Sequence, residues 1–235
     1  MTAMPISRPA PVPTERTYIW ELPVRVTHWL IFFSFLILTA TGYYIMNPFI
    51  SVPGPAANGH FVMGTARTIH VYTAIVFSLA VLVRIYWMFV GNSYARLSDL
   101  VPVTLGRIRD LGDTLLYFLF VRRELDKYSG HDALAGATYG LIFVVYLVKI
   151  ATGLALYTVY APANSPFQFF QILIPAFGGL QAARLIHIVC MWVMVIFAVI
   201  HIYSVWLFSH FQGFGEADSI FSGYKFVPKQ KADVS

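Results

Sequence analysis

The hydrophobic positions of this chain are gathered into four long runs with few polar interruptions. The runs cover about residues 26–46, 67–90, 134–157 and 184–208. Each run suits a spanning α-helix, because crossing the hydrocarbon core of a bilayer takes about 20 apolar residues. Aromatic side chains lie at the ends of the runs, as is typical of the two membrane–water interfaces. The pattern predicts an all-α integral membrane protein built as a four-transmembrane-helix bundle.

The polar segments between the runs differ sharply in basic residues. Residues 47–66 and 158–183 contain no Lys or Arg, whereas residues 91–133 contain six. Lys and Arg also flank both ends of the chain. Because basic residues favour the cytoplasmic side, we predict cytoplasmic N and C termini and a cytoplasmic middle segment. Within that segment, about 103–121 is either an amphipathic interfacial helix or a continuation of the neighbouring spans.

Composition sets the domain boundaries and excludes some partners. Residues 1–17 are Pro-rich and lack the apolar core of a signal peptide, so we predict a disordered N-terminal tail. Residues 18–210 form the predicted transmembrane domain, and 211–235 a cytoplasmic C-terminal tail. Only 11% of the residues are charged, against about 25% in soluble domains. We expect a multi-pass protein of the cell inner (cytoplasmic) membrane. Membrane lipid is an expected partner, and nucleic acid is not.

Histidines inside the apolar runs are the first candidates for function, because ionisable groups there are costly and usually functional. His187 and His201 lie fourteen residues apart in the fourth run. That spacing puts both on one helix face, about 21 Å apart along the axis. In the predicted topology His70 shares the depth of His187 near the outer face. His28 shares the depth of His201 near the cytoplasm.

Two imidazoles at one depth on two helices suit a haem iron with two axial histidines. We therefore predict that His28 with His201, and His70 with His187, bind the irons of two haems. The chain has one cysteine, Cys190, and no C-x-x-C-H motif, which predicts noncovalent haem b. Packing histidines and a metal-transporting channel are the alternatives. The first, second and fourth runs contain no Asp or Glu, which disfavours a channel.

Basic side chains in and beside the spans are candidate partners of haem propionates: Arg67, Arg84, Lys149 and Arg184. Each has an alternative. Lys149 could extend to the membrane surface, Arg84 could be an ordinary cytoplasmic flank, and Arg67 and Arg184 could contact a partner protein. His131 opens the third run on the cytoplasmic side. It is either a helix-end group or a proton donor or hydrogen-bond partner of a quinone.

The two halves of the chain are weakly repeated. Thr41-Gly42 closes the first run, and Thr152-Gly153 lies in the third. Arg84 follows His70 by fourteen residues, the spacing that also separates the two histidines of the fourth run. The sequence leaves open whether this reflects duplication or the shared composition of membrane helices.

At these residues the chain resembles the cytochrome b subunit of membrane-bound, quinone-reactive nickel–iron hydrogenases, a di-haem superfamily shared with formate dehydrogenase gamma subunits. The matching stretches are residues 21–29, 63–70, 84–92, 130–131, 152–157, 191–192 and 222–224. The strings R-I-Y-W-x-F-V-G-N and R-x-I-H are specific. In the family, the positions of the four paired histidines bind haem. The chain departs from the family at Asp132-Ala133, where members tend to have Asn-Pro, and this bears on the quinone pocket.

The resemblance implies an electron-transfer subunit that also anchors its enzyme. Electrons from the iron–sulfur small subunit of a nickel–iron hydrogenase, docked with the large subunit on the outer face, would pass through two b haems to membrane quinone in respiratory hydrogen oxidation. The chain by itself is not expected to catalyse hydrogen oxidation. Whether it carries the quinone-reduction site is left open. The alternatives are a subunit of a formate dehydrogenase or thiosulfate reductase type complex, and a stand-alone transmembrane b-type carrier.

Overall fold

The computed structural model of the chain describes residues 14–49, 61–97, 105–118, 121, 133–212 and 215–228. The helices are α1 (Leu22–Met46), α2 (Val62–Val90), α3 (Leu105–Phe118), α4 (Ala133–Tyr157), a 3₁₀ helix (Pro166–Ile172), α5 (Leu173–Ala176), α6 (Leu180–Gln212) and α7 (Glu216–Ser222). The strands are β1 (Thr14–Tyr18) and β2 (Tyr224–Pro228). Helices α1, α2, α4 and α6 are long and apolar enough to cross a membrane, which confirms the predicted four spans.

The four long helices form two pairs, α1 with α2 and α4 with α6. Within each pair the helices run in opposite directions, because the start of one contacts the end of the other. The two pairs meet at an apolar core, which we call the central core: Ile31, Phe77, Ala80, Val81, Ile142 and Met194. Helix α3 packs against α4 as a separate helix and is therefore not a continuation of either neighbouring span.

A hydrogen-bonded junction ties the start of α1 to the end of α2. The Glu21 carboxylate accepts hydrogen bonds from Trp87 Nε1 and from the backbone N–H of Asn92, both at 2.8 Å. The Asn92 side chain donates to the Ile19 carbonyl at 2.8 Å. A Cβ on Gly91 would lie 2.7 Å from Trp87 atoms, so only glycine fits there. These contacts give a physical role to residues of two stretches that carried the family resemblance.

The two ends of the described chain meet in a short antiparallel sheet. Strand β1 pairs with β2 from Thr14 opposite Pro228 to Tyr18 opposite Tyr224. The sequence assigned 1–17 to a disordered tail, and this differs from the structure at 14–17, which belong to β1. The predicted tail 211–235 likewise includes α7 and β2. The sheet could not be predicted from the sequence, because two five-residue segments that pair across most of the chain carry no local pattern of their own. Residues 1–13 and 229–235 lie outside the described residues.

Candidate functional site

The His28–His201 pair lies between α1 and α6. The two ring centroids are 6.3 Å apart, and the ring planes make an angle of 55°. A ring nitrogen lies about 1.1 Å from its centroid, and a metal–imidazole bond is about 2 Å long, so two imidazoles on opposite sides of one ion have centroids about 6 Å apart. The observed separation therefore fits one metal ion between these rings.

The His70–His187 pair is held by two threonines of the neighbouring helices. Thr41 Oγ1 lies 2.9 Å from His70 Nδ1, and Thr152 Oγ1 lies 2.9 Å from His187 Nδ1. Each hydroxyl donates its only hydrogen to a carbonyl one turn earlier in its own helix, at 2.7 and 2.8 Å. The imidazole Nδ1–H must then be the donor to the hydroxyl oxygen. This leaves the lone pair on Nε2 of both histidines, as a metal ligand requires.

Glycines next to these threonines let the helices lie against the imidazole rings. A Cβ on Gly42 would be 3.2 Å from His70 Cε1, and a Cβ on Gly153 would be 3.3 Å from His187 Cε1. Either contact is tight enough to push the ring. The Thr-Gly step thus has the same two roles in each half of the chain, which favours duplication over shared composition, the two alternatives that the sequence left open.

The His28–His201 pair has a different set of neighbours. Tyr139 Oη lies 3.1 Å from His201 Nδ1, and Phe197 stacks on the His201 ring with centroids 5.5 Å apart. Trp29 meets the His28 ring edge-on at 5.2 Å. His28 Nδ1 is buried and has no hydrogen-bond partner within the described ranges. The two pairs therefore differ in how firmly their rings are oriented, because a hydrogen bond on Nδ1 is what fixes the ring.

Two of the four predicted basic residues lie close to the histidine pairs. Arg84 is buried, not an exposed flank. Its guanidinium donates to the Ala95 carbonyl at 3.3 Å and lies 5.8 Å from the centre of the Phe143 ring, one turn along α4 from Tyr139, which contacts His201. Lys149 Nζ donates to the backbone carbonyl of His187 at 2.7 Å. Each pair therefore has one cationic side chain beside it.

The other predicted residues lie elsewhere. Arg67 is exposed, with its guanidinium 5.0 Å from the centre of the Tyr160 ring. Arg184 is exposed and donates to Gln181 Oε1 at 3.2 Å. His131 lies outside the described residues. The structure thus brings Arg84 and Lys149 to the histidines and leaves Arg67 and Arg184 on the surface.

Charge balance discriminates between the groups that the pairs could hold. Helices α1, α2, α4 and α6 contain no Asp or Glu, and in the described part of the chain no carboxylate pairs with Arg84 or Lys149. Buried cations require an anion nearby. A bare metal ion between neutral imidazoles would add positive charge at each site. Haem brings an iron together with two propionate carboxylates, so the residues present fit haem and disfavour a free metal ion.

Sequence reasoning did not assign Thr41, Thr152 or Tyr139 to the sites. The only signal for the threonines was the repeated Thr-Gly step, which left duplication open and indicated no hydrogen bond. Tyr139 precedes Thr152 by thirteen residues, and His28 precedes Thr41 by thirteen. The equivalence of Tyr139 and His28 in the two halves could have been found from this spacing.

Comparison with known proteins agrees with this architecture. A family model described as prokaryotic cytochrome b561 matches residues 19–223. The "Probable Ni/Fe-hydrogenase B-type cytochrome subunit" of Rhizobium leguminosarum bv. viciae is 36% identical over 192 residues, 80% of each chain. The protein of that name from Azotobacter vinelandii is 35% identical over 189 residues, 79% of this chain and 78% of the relative. The "Probable Ni/Fe-hydrogenase 1 B-type cytochrome subunit" of Escherichia coli K12 is 33% identical over 193 residues, 79% of this chain and 80% of the relative. The resemblance drawn from the sequence is confirmed, and the chain belongs to the prokaryotic cytochrome b561 family.

Proposed function

We propose that this chain is the membrane anchor and electron-transfer subunit of a nickel–iron hydrogenase, carrying electrons from the enzyme's iron–sulfur small subunit through two b haems to membrane quinone. The observation that carries the proposal is that His28 and His201 face each other between α1 and α6, while His70 of α2 and His187 of α6 are each bonded to a threonine of the adjoining helix. Membership of a cytochrome b family and the printed names of the relatives support haem b and a hydrogenase partner.

The chain's own residues would bind and orient the cofactors. His28 and His201 would bind one iron, and His70 and His187 the other. A bound haem supplies reversible one-electron chemistry at its iron. Thr41 and Thr152 keep the Nε2 lone pairs of their histidines available. The apolar residues of the central core exclude water from the region between the two sites.

The basic residues would divide into two groups by position. Arg84 and Lys149 are inside the bundle and have no carboxylate partner among the described residues, so we assign them to haem propionates. Arg67 and Arg184 are exposed near the ends of α2 and α6 from which His70 and His187 project. We assign these two to contacts with a propionate or with the docked hydrogenase small and large subunits.

The orientation follows from the distribution of charge. Strands β1 and β2 pair in one sheet, so the segments before α1 and after α6 lie on one side of any membrane that the four spans cross. The basic middle segment and basic ends favour the cytoplasm for that side, in the inner membrane of the cell. The His70–His187 pair would then face the hydrogenase outside the cell membrane, and the His28–His201 pair the cytoplasm. His131 is retained as the proposed hydrogen-bond or proton partner of the quinone.

Haem content of the purified full chain tests the binding sites. We expect two haem b per chain, with sharp absorption bands on reduction. His28→Ala and His70→Ala should each retain one haem, whereas the exposed His210→Ala should retain both. A wild-type chain without haem would overturn the proposal, and two haems in His28→Ala would overturn the pairing.

Affinity purification of the tagged chain from its native membrane tests the partner. Recovery of a small and a large nickel–iron subunit with the chain is the expected result. Recovery of formate dehydrogenase or thiosulfate reductase subunits in their place would reassign the chain to that type of complex. Quinone reduction by a chain that recovers no partner would indicate a stand-alone carrier.

A further inference from the structure

The two sites differ in the cation that accompanies each histidine pair. Arg84 projects from α2 to the Phe143 ring, one turn along α4 from Tyr139, which contacts His201. Lys149 projects from α4 and donates to the backbone carbonyl of His187. The two side chains lie on different helices beside different pairs. A change to one of them should therefore act on one site and spare the other.

A hydrogen bond to His187 fixes the position of the Lys149 side chain. Lys149 and Thr152 lie three residues apart and so share one face of α4. Thr152 holds the His187 imidazole, and Lys149 holds the backbone carbonyl of the same residue at 2.7 Å. That contact uses one of the three N–H donors of an ammonium group and leaves two for an anion. The ammonium is therefore retained beside the pair and does not extend to the membrane surface.

A cation held beside a redox centre changes the equilibrium between its two oxidation states. Haem iron gains one positive charge when it loses an electron, so a nearby fixed cation disfavours the oxidised form. The effect is stronger in the low-dielectric interior than in water. Resting on the haem ligation proposed above, we infer that Lys149 raises the reduction potential of the His70–His187 haem and that Arg84 separately raises that of the His28–His201 haem.

Redox titration of the full chain with both haems bound, followed by absorbance, tests this inference. In Lys149→Met we expect one haem to shift to lower potential. The expected shift changes its oxidised-to-reduced ratio about tenfold at a fixed potential, which is about 59 mV for a one-electron couple. Lys149→Arg keeps the charge and should stay near the wild-type potential. Arg84→Met is the matched variant and should shift only the other haem. The titration is repeated with Lys149→Met added to His28→Ala, which is expected to retain only the His70–His187 haem. A shift there assigns the effect of Lys149 to that haem.

The outcomes separate this inference from the proposed function. Absence of haem from the wild-type chain contradicts the proposed function itself. Two bound haems with unchanged potentials in Lys149→Met overturn only the role of Lys149. If Lys149→Met fails to retain haem, the reduction potential is measured in Lys149→Gln, which keeps a hydrogen-bond donor without the charge. Loss of haem from both neutral variants would overturn the inference and assign Lys149 to assembly of the site.

Discussion

Replacement of Thr152 by valine should weaken one haem site and leave the other intact. Valine keeps the branched shape of threonine and removes the hydroxyl that accepts the His187 Nδ1–H at 2.9 Å. Thr152 is 0% exposed, so water has no room to replace the hydroxyl. A buried donor without a partner costs about 1–3 kcal/mol. Loss of the group that orients a metal-binding histidine lowers metal affinity about 10- to 100-fold, or about 1.4–2.8 kcal/mol. The two estimates agree.

Transfer of haem from the purified chain to an excess of an apo haem-binding acceptor measures this effect. We expect one haem of Thr152→Val to be held about 10- to 100-fold more weakly and the other as in the wild type. Thr138→Val is the matched control, since Thr138 makes the same bond to a carbonyl of α4, at 2.7 Å, but is exposed. Equal affinity of Thr152→Val and the wild type would refute the argument. If Thr138→Val weakened haem binding equally, the loss of affinity would come from the missing threonine-to-carbonyl bond within α4 and not from the missing contact with His187.

Three further substitutions test the packing beside His187, the junction between α1 and α2, and the β1–β2 sheet. Gly153→Ala should lower affinity for one haem, because a Cβ would lie 3.3 Å from His187 Cε1. Gly112→Ala, whose Cβ would meet nothing within 4 Å, should keep both haems, and equal loss would contradict this reasoning. Glu21→Ala should lower the free energy of unfolding by about 1–3 kcal/mol, because two donors lose their acceptor, whereas exposed Glu15→Ala should change the thermal midpoint little. Gly223→Ala should open the terminal sheet to protease, because φ is +87° and a Cβ would lie 2.6 Å from Tyr18; unchanged protection would exclude that role.

The four spans were predictable because their signal is local. A run of about 20 apolar residues is visible in any window of the sequence. The depth of each histidine also followed from local information, since helical rise and the direction of each span are enough to compare positions along the membrane normal. The structure brings His28 near His201, as this depth argument requires.

The contacts around the histidines were not predictable, because they depend on how each helix is rotated about its axis. Thr41 and Thr152 can reach an imidazole only when their helix faces turn toward the neighbouring helix, and one sequence does not contain that rotation. Burial of Arg84 depends on the same rotation, so its sequence position fitted an exposed cytoplasmic flank as well as a buried site. The β1–β2 sheet was missed for a related reason, since its five-residue strands pair across nearly the whole chain.

Corresponding positions of the two halves carry different residue types at one histidine pair and like residues at the other. Aligning Thr41 with Thr152 and His70 with His187 makes His28 equivalent to Tyr139, and the matching fourteen-residue spacings make Arg84 equivalent to His201. In the structure Tyr139 contacts His201, and Arg84 of the other half lies over the Phe143 ring, one helical turn from Tyr139. At one site both halves supply a histidine held by threonine. At the other, each half supplies one histidine and one residue of another type. Arg84 and Tyr139 therefore stand beside the His28–His201 pair where strict repetition would place two more histidines, so the two pairs have different surroundings.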